Sequence, residues 1–222
     1  MLDVAIINLK LSNLHSVSVA CTKVGLKSKI TSDKKIISKA KSIILPGVGS
    51  FSEAMFRIKK LDLENVIKKF ISDEKPFLGI CLGMQLLFSK SEEFGNSKGL
   101  SIFNGNVKKF KLHKINNIKF PVPNVGWNKI FINLQNKNSK KKFFKNLKKD
   151  EFMYFVHSYF VVPKDTKIIS SKTKYGKIEF CSSISYKNLL AVQFHPEKSG
   201  LKGLKIYKNF RDLIKKSNEK FI

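Results

Sequence analysis

A cysteine lies between two glycines in the segment GICLG, residues 79–83. The apolar run at 76–80 predicts a strand, and the helical spacing of apolar residues at 82–93 predicts a helix directly after Cys81. A nucleophile in such a tight turn has strained backbone and no room for neighbouring side chains, which explains the glycine on each side. The N-terminus of the helix would favour the thiolate form. The pattern predicts a nucleophilic cysteine, and a buried structural cysteine in an ordinary turn is the alternative.

Of the four histidines, His195 has the surroundings that a catalytic base needs. It follows the strand-like segment LLAVQF, and Glu197 lies two residues later. If this segment stays extended, residues two apart face the same way, so Glu197 can orient the imidazole of His195. With Cys81, the pair forms a nucleophile, base and acid triad. His157, in the strand-like run YFVHSYF, could instead be structural or line an interface.

The segment LPGVGSF, residues 45–51, supplies a candidate oxyanion hole. It predicts a strand, a glycine-rich turn and a helix that Ser50 opens with Glu53 in a capping box. The glycines would let the backbone point an N–H group at developing negative charge. We expect the donors to be Val48 and Leu82, the residue after the nucleophile. An ordinary glycine-rich turn is the alternative, and a P-loop is excluded because the Gly-Lys-Ser/Thr ending is missing.

The elements that position these residues predict an α/β fold. In the first half, short apolar strands at 4–8, 28–31, 42–45 and 76–80 alternate with helices at 13–25, at 52–71 with a break near Leu61, and at 82–93. After about residue 100, strand-like pieces dominate, and a helix over 200–216 closes the chain. We therefore expect a mostly parallel central sheet flanked by helices, with a β-rich second half. We expect one domain over residues 1–222, with the basic stretch 133–151 as a variable surface segment.

The composition limits the class of protein further. The 222 residues suffice for a packed core. No apolar run reaches the roughly 18 residues of a membrane helix, and the start of the chain lacks the pattern of a signal peptide. Three cysteines, far apart and odd in number, argue against a disulfide framework and for a reducing compartment. We expect a cytoplasmic protein with no metal site and no cofactor, since no cysteine pair has metal-ligand spacing.

The formal net charge of +27 raises the question of nucleic-acid binding. Only Arg57 and Arg211 are arginines among the 43 basic residues, and the lysines are spread over almost every segment. Nucleic-acid surfaces draw on arginine for bidentate contacts, so we expect no nucleic-acid partner. A lysine excess of this kind is typical of the coding bias of an AT-rich genome. Capture of an anionic substrate or an acidic partner is the alternative.

Three blocks, LPGVGSF, GICLGMQLLF and FHPEKS, occur in this order along the chain. Together they resemble the class I, triad-type glutamine amidotransferases, which implies their flavodoxin-like fold. Within that family, the segments VPNVGWN, YFVHSYF and NLHSV resemble HisH, the glutaminase subunit of imidazole glycerol phosphate synthase. The resemblance covers essentially the whole chain.

The resemblance implies roles for individual residues. Cys81 would attack the carboxamide of L-glutamine, His195 would act as base and then as acid, and Glu197 would orient it. A glutamyl thioester would then be hydrolysed to glutamate. The residues implied to bind the substrate are Gly47, Gly49, Gln85, His157, Ser158 and Tyr159.

The resemblance also implies a partner, a HisF-like (β/α)₈ barrel in a heterodimer. Ammonia would pass to that subunit, which makes imidazole glycerol phosphate and an aminoimidazole carboxamide ribotide in histidine biosynthesis. The docking face would include Asn13, Trp127, Tyr159 and Lys198. A core position for Trp127 is the alternative.

Three positions depart from the pattern of relatives in histidine synthesis. Lys10 and Ser12 replace the glycines of an N-terminal YGxGNL motif, and Asn124 replaces a histidine. All three lie outside the triad but near the implied docking face. A HisH-like paralogue that supplies ammonia for amidination of surface-polysaccharide sugars is therefore an alternative. A basic nucleic-acid-binding protein and a peptidase of similar fold are further alternatives, which the scattered lysines and the FHPEKS block disfavour.

Overall fold

The structure, a computed structural model, describes residues 2–11, 14–115, 118–135 and 142–218. The strands are β1 Val4–Ile7, β2 Ser28–Thr31, β3 Ser42–Gly47, β4 Phe77–Cys81, β5 Phe88–Ser91, β6 Ser97–Lys98, β7 Phe103–Lys109, β8 His113–Ile115, β9 Ile118–Phe120, β10 Asn124–Ile132, β11 Asp150–His157, β12 Tyr159–Pro163, β13 Ile169–Tyr175, β14 Ile178–Tyr186 and β15 Leu189–Val192. The helices are α1 His15–Lys23, α2 Lys34–Lys39, α3 Phe51–Lys60, α4 Glu64–Ser72, α5 Leu82–Gln85 and α6 Gly200–Asn218, with 3₁₀ turns at Thr166–Ile168 and Pro196–Lys198.

The main sheet has nine strands in the order β11-β10-β13-β14-β15-β4-β3-β1-β2. The strands from β15 to β2 pair in parallel, and those from β11 to β15 pair antiparallel. The predicted α/β class and β-rich second half are confirmed. The second half of the chain extends the same sheet with antiparallel strands. The parallel part of the sheet consists of the N-terminal strands β1 to β4 and of β15. A smaller sheet, β12-β7-β5-β6, stands beside it.

Alternating apolar side chains give the parallel strands a hydrophobic core on each face. In β1, for example, Ala5 and Ile7 belong to one core, and Val4 and Ile6 belong to the other. Helices α2, α3 and α4 cover the first face, whereas α1 and α6 cover the second. Successive side chains of a strand point to opposite faces, and a parallel sheet needs both faces covered. Strand β4, which ends at Cys81, is therefore fixed from both sides.

The predicted helix at 82–93 is wrong beyond its first turn. α5 ends at Gln85, and β5 begins at Phe88. The carbonyl groups of Leu86 and Leu87 accept hydrogen bonds from the segment that leads into β7. These leucines and Phe88 are all fully buried, and Phe88 begins a strand that pairs with β7. The smaller sheet buries them instead.

The break predicted near Leu61 is confirmed, because α3 ends at Lys60 and α4 begins at Glu64. Asp62 turns the chain there with a φ of 51°. The predicted cap is also present, since Ser50 Oγ accepts a hydrogen bond from the Glu53 N–H at 3.4 Å. The Glu53 carboxylate bonds Arg57 rather than the start of the helix, so the capping box is half formed.

The prediction that 133–151 is a surface segment is wrong for its second half, and residues 136–141 lie outside the described residues. Phe143 and Phe144 are almost fully buried in the core beneath α1 and α6. Asn209 of α6 donates to the carbonyl groups of residues 143 and 145, which holds this turn against the helix. The burial of these two phenylalanines thus places this part of the chain against the core, although lysines surround them in the sequence.

Lys10, one of the departures from the glycine motif, has a φ of 58°. This left-handed conformation is the one that glycine adopts without strain and that costs other residues about 1 kcal/mol. The Asn8 side chain supports the turn by accepting the Lys10 N–H at 2.8 Å. The chain therefore keeps a glycine-type turn without the glycine. Ser12, the second departure, lies outside the described residues.

The expectation of one domain over residues 1–222 stays a prediction. None of the helices in the described part of the chain is long and apolar enough to cross a membrane.

Candidate active site

Cys81 is the last residue of β4 and lies in a sharp turn at the carboxyl end of the parallel strands. Its φ of 54° and ψ of −110° are strained for a residue with a side chain. A Cβ atom added at Gly83 would overlap the Leu45 carbonyl oxygen, and one at Gly79 would lie 3.0 Å from the Ala191 Cβ. The two glycines therefore let the turn pack directly against β3 and β15, as the pattern around the cysteine predicted.

His195 and Glu197 form a buried pair behind this turn. His195 Nδ1 lies 2.7 Å from Glu197 Oε1, and their side chains are only 4% and 5% exposed. The contact was predicted for an extended segment, but a 3₁₀ turn at Pro196–Lys198 makes it. The turn is fixed because the His195 N–H donates to the Tyr154 carbonyl and Ser199 Oγ donates to the His195 carbonyl.

The charges around His195 favour its protonated form. Burial alone would lower the pKa of its imidazole, but Cys81 and Glu197 outweigh burial and raise that pKa to about 10. In the described residues, His195 Nε2 has no hydrogen-bond partner. The Cys81 thiol instead lies 3.8 Å from the Val156 carbonyl oxygen, within the range of a weak sulfur hydrogen bond. Catalytic hydrogen bonds are often long or misaligned before substrate binds and tighten in the complex.

One cavity of about 220 Å³ opens beside the sulfur. Besides Cys81, most of the residues predicted to bind the substrate or donate to the oxyanion line it: Val48, Gly49, Leu82, Gln85, His157, Ser158 and Tyr159. Gly47 lies just outside, paired with Cys81 across β3 and β4, where the Leu82 side chain leaves no room for a Cβ. Because parallel strands β3 and β4 end together, the two predicted N–H donors lie at the same edge of the sheet as the nucleophile.

Glu93 also lines this cavity, although the sequence reasoning did not select it. Its carboxylate accepts the Phe51 N–H at the start of α3, which fixes the side chain and places it at a helix N-terminus. The cavity therefore has the Cys81 sulfur at one wall and the Glu93 carboxylate at another. The described residues contain no group of three or more His, Cys, Asp or Glu that could hold a metal ion.

Comparisons with known proteins identify the family and match the fold. A family model described as glutamine amidotransferase class-I matches residues 4–213. The imidazole glycerol phosphate synthase subunit HisH of Aquifex aeolicus is 44% identical over 207 residues, which cover 93% of this chain and 94% of that protein. The corresponding subunit of Cyanidium caldarium is 46% identical over 216 residues, which cover 95% and 98%. This chain is a class I glutamine amidotransferase of the HisH family.

Solved structures of other amidotransferases share the fold of this HisH-family chain. PurLQS from Thermotoga maritima aligns with a TM-score of 0.67 at 17% identity, covering 98% of this chain and 99% of that one. The glutaminase domain of Trypanosoma brucei CTPS with bound acivicin aligns with a TM-score of 0.64 at 16% identity, covering 97% and 94%. At these identities the likeness concerns the fold.

The HisH-family chain exposes apolar side chains on one face of β10 and β11. Val125, Trp127, Phe131 and Phe152 are between 41% and 56% exposed and define what we call the β10–β11 face. Tyr154 pairs with Trp127 across the strands, and their ring centres are 6.0 Å apart. Exposed single apolar residues are normal, but a contiguous group is typical of an interaction surface.

Two of the predicted interface residues meet at this face. Trp127 is exposed, so the alternative of a core tryptophan is wrong. Lys198 Nζ lies 6.0 Å from the ring centre of Tyr154, beside Trp127. Tyr159 lines the cavity instead, and Asn13 lies outside the described residues.

A buried row of polar side chains runs behind the β10–β11 face. Asn128 Nδ2 donates to Asn124 Oδ1 at 3.0 Å, and Asn124 Nδ2 lies 3.2 Å from His157 Nε2. His157 Nδ1 lies 2.8 Å from the Tyr159 carbonyl oxygen. A carbonyl oxygen only accepts, so Nδ1 carries the proton and Nε2 accepts from Asn124. Asn124, the third departure from the relatives' pattern, therefore fixes a neutral His157.

Acid will destabilise the protein through His157. Burial lowers the pKa of its imidazole to about 4, so the folded state disfavours a proton that the unfolded chain takes up near pH 6.5. Stability from this group is present above about pH 6.5 and lost as the pH falls to about 4, at a cost of about 3 kcal/mol. Urea unfolding of the wild type across this range will reveal the loss, and His157→Gln will reduce it.

His15→Gln, at the start of α1, is the matched histidine control and should keep the full pH dependence. His195 does not interfere, because its raised pKa contributes stability that is lost only as the pH rises toward 10. Equal acid sensitivity of the wild type and His157→Gln would rule out this account of His157.

Gln193 is the second residue that the sequence reasoning did not select. It is fully buried directly after β15, and its amide lies between Cys81 and Gln85. One signal in the sequence could have identified Gln193. It stands two residues before His195 at the end of a strand, so the two side chains lie on the same side of an extended chain.

Proposed function

We propose that this chain is the glutaminase subunit of an imidazole glycerol phosphate synthase and releases ammonia from glutamine. In the first step, the Cys81 sulfur bonds the carboxamide carbon, and the C–N bond breaks as His195 protonates the departing ammonia. Water then attacks the glutamyl thioester, with His195 taking one of its protons. The C–S bond breaks, glutamate leaves, and the thiolate is restored.

The feature that carries this proposal is the buried His195–Glu197 pair beside a cysteine held at a strained turn. Glu197 Oε1 accepts a hydrogen bond from His195 Nδ1–H at 2.7 Å, which leaves Nε2 as the nitrogen that exchanges protons with substrate. The N–H groups of Val48 and Leu82 are the proposed donors to the tetrahedral oxyanion. Both residues line the cavity that Cys81 faces.

The cavity has the charges that free glutamine requires. The Glu93 carboxylate is the proposed contact of the substrate ammonium group, because a carboxylate fixed in a small cavity binds a cation with a charge-assisted hydrogen bond. We assign Gln85, Ser158 and Tyr159 to the remaining polar contacts. Gly47 and Gly49 allow the backbone between them to approach the substrate closely, and Gly49 uses a φ of +96° there.

The proposed partner is a HisF-like (β/α)₈ barrel that covers the β10–β11 face, with Trp127 and Lys198 in the contact. Val156 supports this assignment, because it lines the cavity and pairs with Val125 on that face. Ammonia formed at Cys81 thus has a short route to the covered surface, where it stays unprotonated and nucleophilic. A cytoplasmic location and the histidine pathway are part of the same proposal.

Glutamate release tests this function when it is measured for the chain alone, with a HisF barrel, and with the barrel plus its phosphoribosyl-formimino ribotide. We expect weak turnover alone, because the thiol faces the Val156 carbonyl and His195 Nε2 has no partner in the described residues. The ligand-loaded barrel should raise turnover about a hundredfold or more, the size of an oxyanion-hole effect.

Imidazole glycerol phosphate should appear in step with glutamate. Strong glutaminase turnover by the isolated chain would contradict the proposed activation. If turnover does not change when HisF and its ribotide are added, the chain is still a glutaminase, but its ammonia goes to another acceptor system, such as sugar amidination.

A further inference from the structure

Gln193 contacts the nucleophile directly. Its Nε2 lies 3.5 Å from Cys81 Sγ, and its other amide atom, Oε1, lies 3.1 Å from Gln85 Nε2. The side chain is fully buried. Its own N–H donates to the Ser182 carbonyl at 2.9 Å, which ties the residue to β14. The amide is therefore held in one place beside the sulfur.

The orientation of this amide follows from one main-chain carbonyl. Gln85 Nε2 lies 3.0 Å from the Tyr159 carbonyl oxygen, which can only accept, so this end of Gln85 must be the NH₂ group. The second hydrogen of that NH₂ group points to Gln193, which must present its carbonyl oxygen there. Gln193 consequently presents its own NH₂ group to Cys81.

We propose that Gln193 is a catalytic residue, whose amide N–H stabilises the Cys81 thiolate in both half-reactions. This inference deepens the proposed glutaminase function and rests on it. A donor to the charged form of a group favours that form, and hydrogen bonds to charged groups are stronger than those to neutral ones. The amide cannot take up a proton itself, so it stabilises the thiolate without competing with His195 as base.

The same hydrogen bond acts when the thioester is hydrolysed. Water adds to the thioester carbon and gives a proton to His195; the C–S bond then breaks, and the electron pair returns to sulfur. The Gln193 N–H meets the sulfur as it regains negative charge. Gln193 thus assists the leaving group in the second step as well as the nucleophile in the first.

Gln193 also determines what Gln85 offers to the substrate. Both hydrogens of Gln85 Nε2 are used, one by Tyr159 and one by Gln193. The carbonyl oxygen of Gln85 is the atom that remains for the cavity, so Gln85 acts there as an acceptor. A substrate N–H group is the partner that this arrangement selects.

Alkylation of Cys81 by iodoacetamide tests the inference on the full-length chain. Burial raises the pKa of Cys21 to about 12 and raises that of Cys181 as well, so these thiols will react slowly. We expect Gln193→Met, which has similar length and no donor, to slow alkylation near neutral pH about tenfold. At alkaline pH, above the range in which thiols ordinarily ionise, the rates should agree within about twofold.

Gln135→Met is the matched control, because it makes the same exchange at an exposed position. It should alkylate at a rate within about twofold of wild type. Gln193→Asn, which keeps the amide but withdraws it by one methylene, should resemble Gln193→Met and decides the test if thermal unfolding shows that Gln193→Met is not folded.

The inference would be overturned if folded Gln193→Met or Gln193→Asn were alkylated near neutral pH at the wild-type rate. An equal loss in Gln135→Met would also overturn it, since the effect would then not depend on a donor at the sulfur. The assay needs neither glutamine nor a barrel partner. Failure of the proposed glutaminase function would therefore leave this result intact, and the two outcomes are distinguishable.

Discussion

Cys81→Ala will reduce glutamate release by at least about 10,000-fold, because removing the nucleophile of a triad removes the covalent pathway as a whole. The remaining His195–Glu197 pair and the cavity can still bind glutamine, so the loss should appear in kcat and leave KM little changed. The measurement is glutamate release with the ligand-loaded barrel present, where wild-type turnover is highest.

Cys181→Ala is the matched control, because this cysteine is buried in β14 and its sulfur contacts only the Ser183 carbonyl among the described hydrogen bonds. We expect its turnover to stay within about twofold of wild type, with at most a modest loss of stability. Residual turnover of Cys81→Ala above about one per cent of wild type would contradict the thioester mechanism, since hydrolysis would then proceed without the sulfur.

Trp127→Ala will weaken binding of the HisF-like barrel by about 30-fold or more, the loss of about 2 kcal/mol that a buried aromatic anchor supplies at an interface. Trp127 is 54% exposed in the isolated chain and lies at the centre of the β10–β11 face. Titration calorimetry gives the affinity, and glutamate release at saturating barrel separates lost binding from lost activation.

Phe56→Ala is the matched control, because Phe56 is 55% exposed but lies far from this face in the fold. It belongs to α3, which follows β3, and β3 lies in the opposite half of the nine-stranded sheet from β10 and β11. Its affinity for the barrel should equal that of wild type. If Trp127→Ala and Phe56→Ala bind the barrel equally well, the β10–β11 face is not the docking surface.

The residues of the proposed triad could be selected from the sequence because each of them has a local signal. Cys81 has glycines beside it, and Glu197 follows His195 at a spacing of two. The geometry of that last pair was still predicted incompletely. An extended segment and a 3₁₀ turn both bring the two side chains together, and Pro196 at the start of the turn selects the second.

The contacts around the triad could not be predicted because they join residues far apart in the chain. Gln193 meets Gln85 only because β15 and β4 are neighbours in the sheet, and Glu93 enters the cavity only because the predicted helix stops at Gln85. That helix was wrong for a tertiary reason: the smaller sheet captures the buried residues after it. Periodicity describes one element at a time and does not include such competition.

The Tyr159 carbonyl joins two sets of side chains, one ending at Asn128 and one ending at Cys81. Apart from the sulfur, the links are side-chain amides, a main-chain carbonyl and a histidine held neutral, none of which exchanges a proton near neutral pH. These hydrogen bonds hold the Cys81 side chain in place, but they do not conduct protons away from it. Each proton that Cys81 or water gives up is therefore carried by His195, which gives it to the departing NH₂ group, so one imidazole serves both half-reactions.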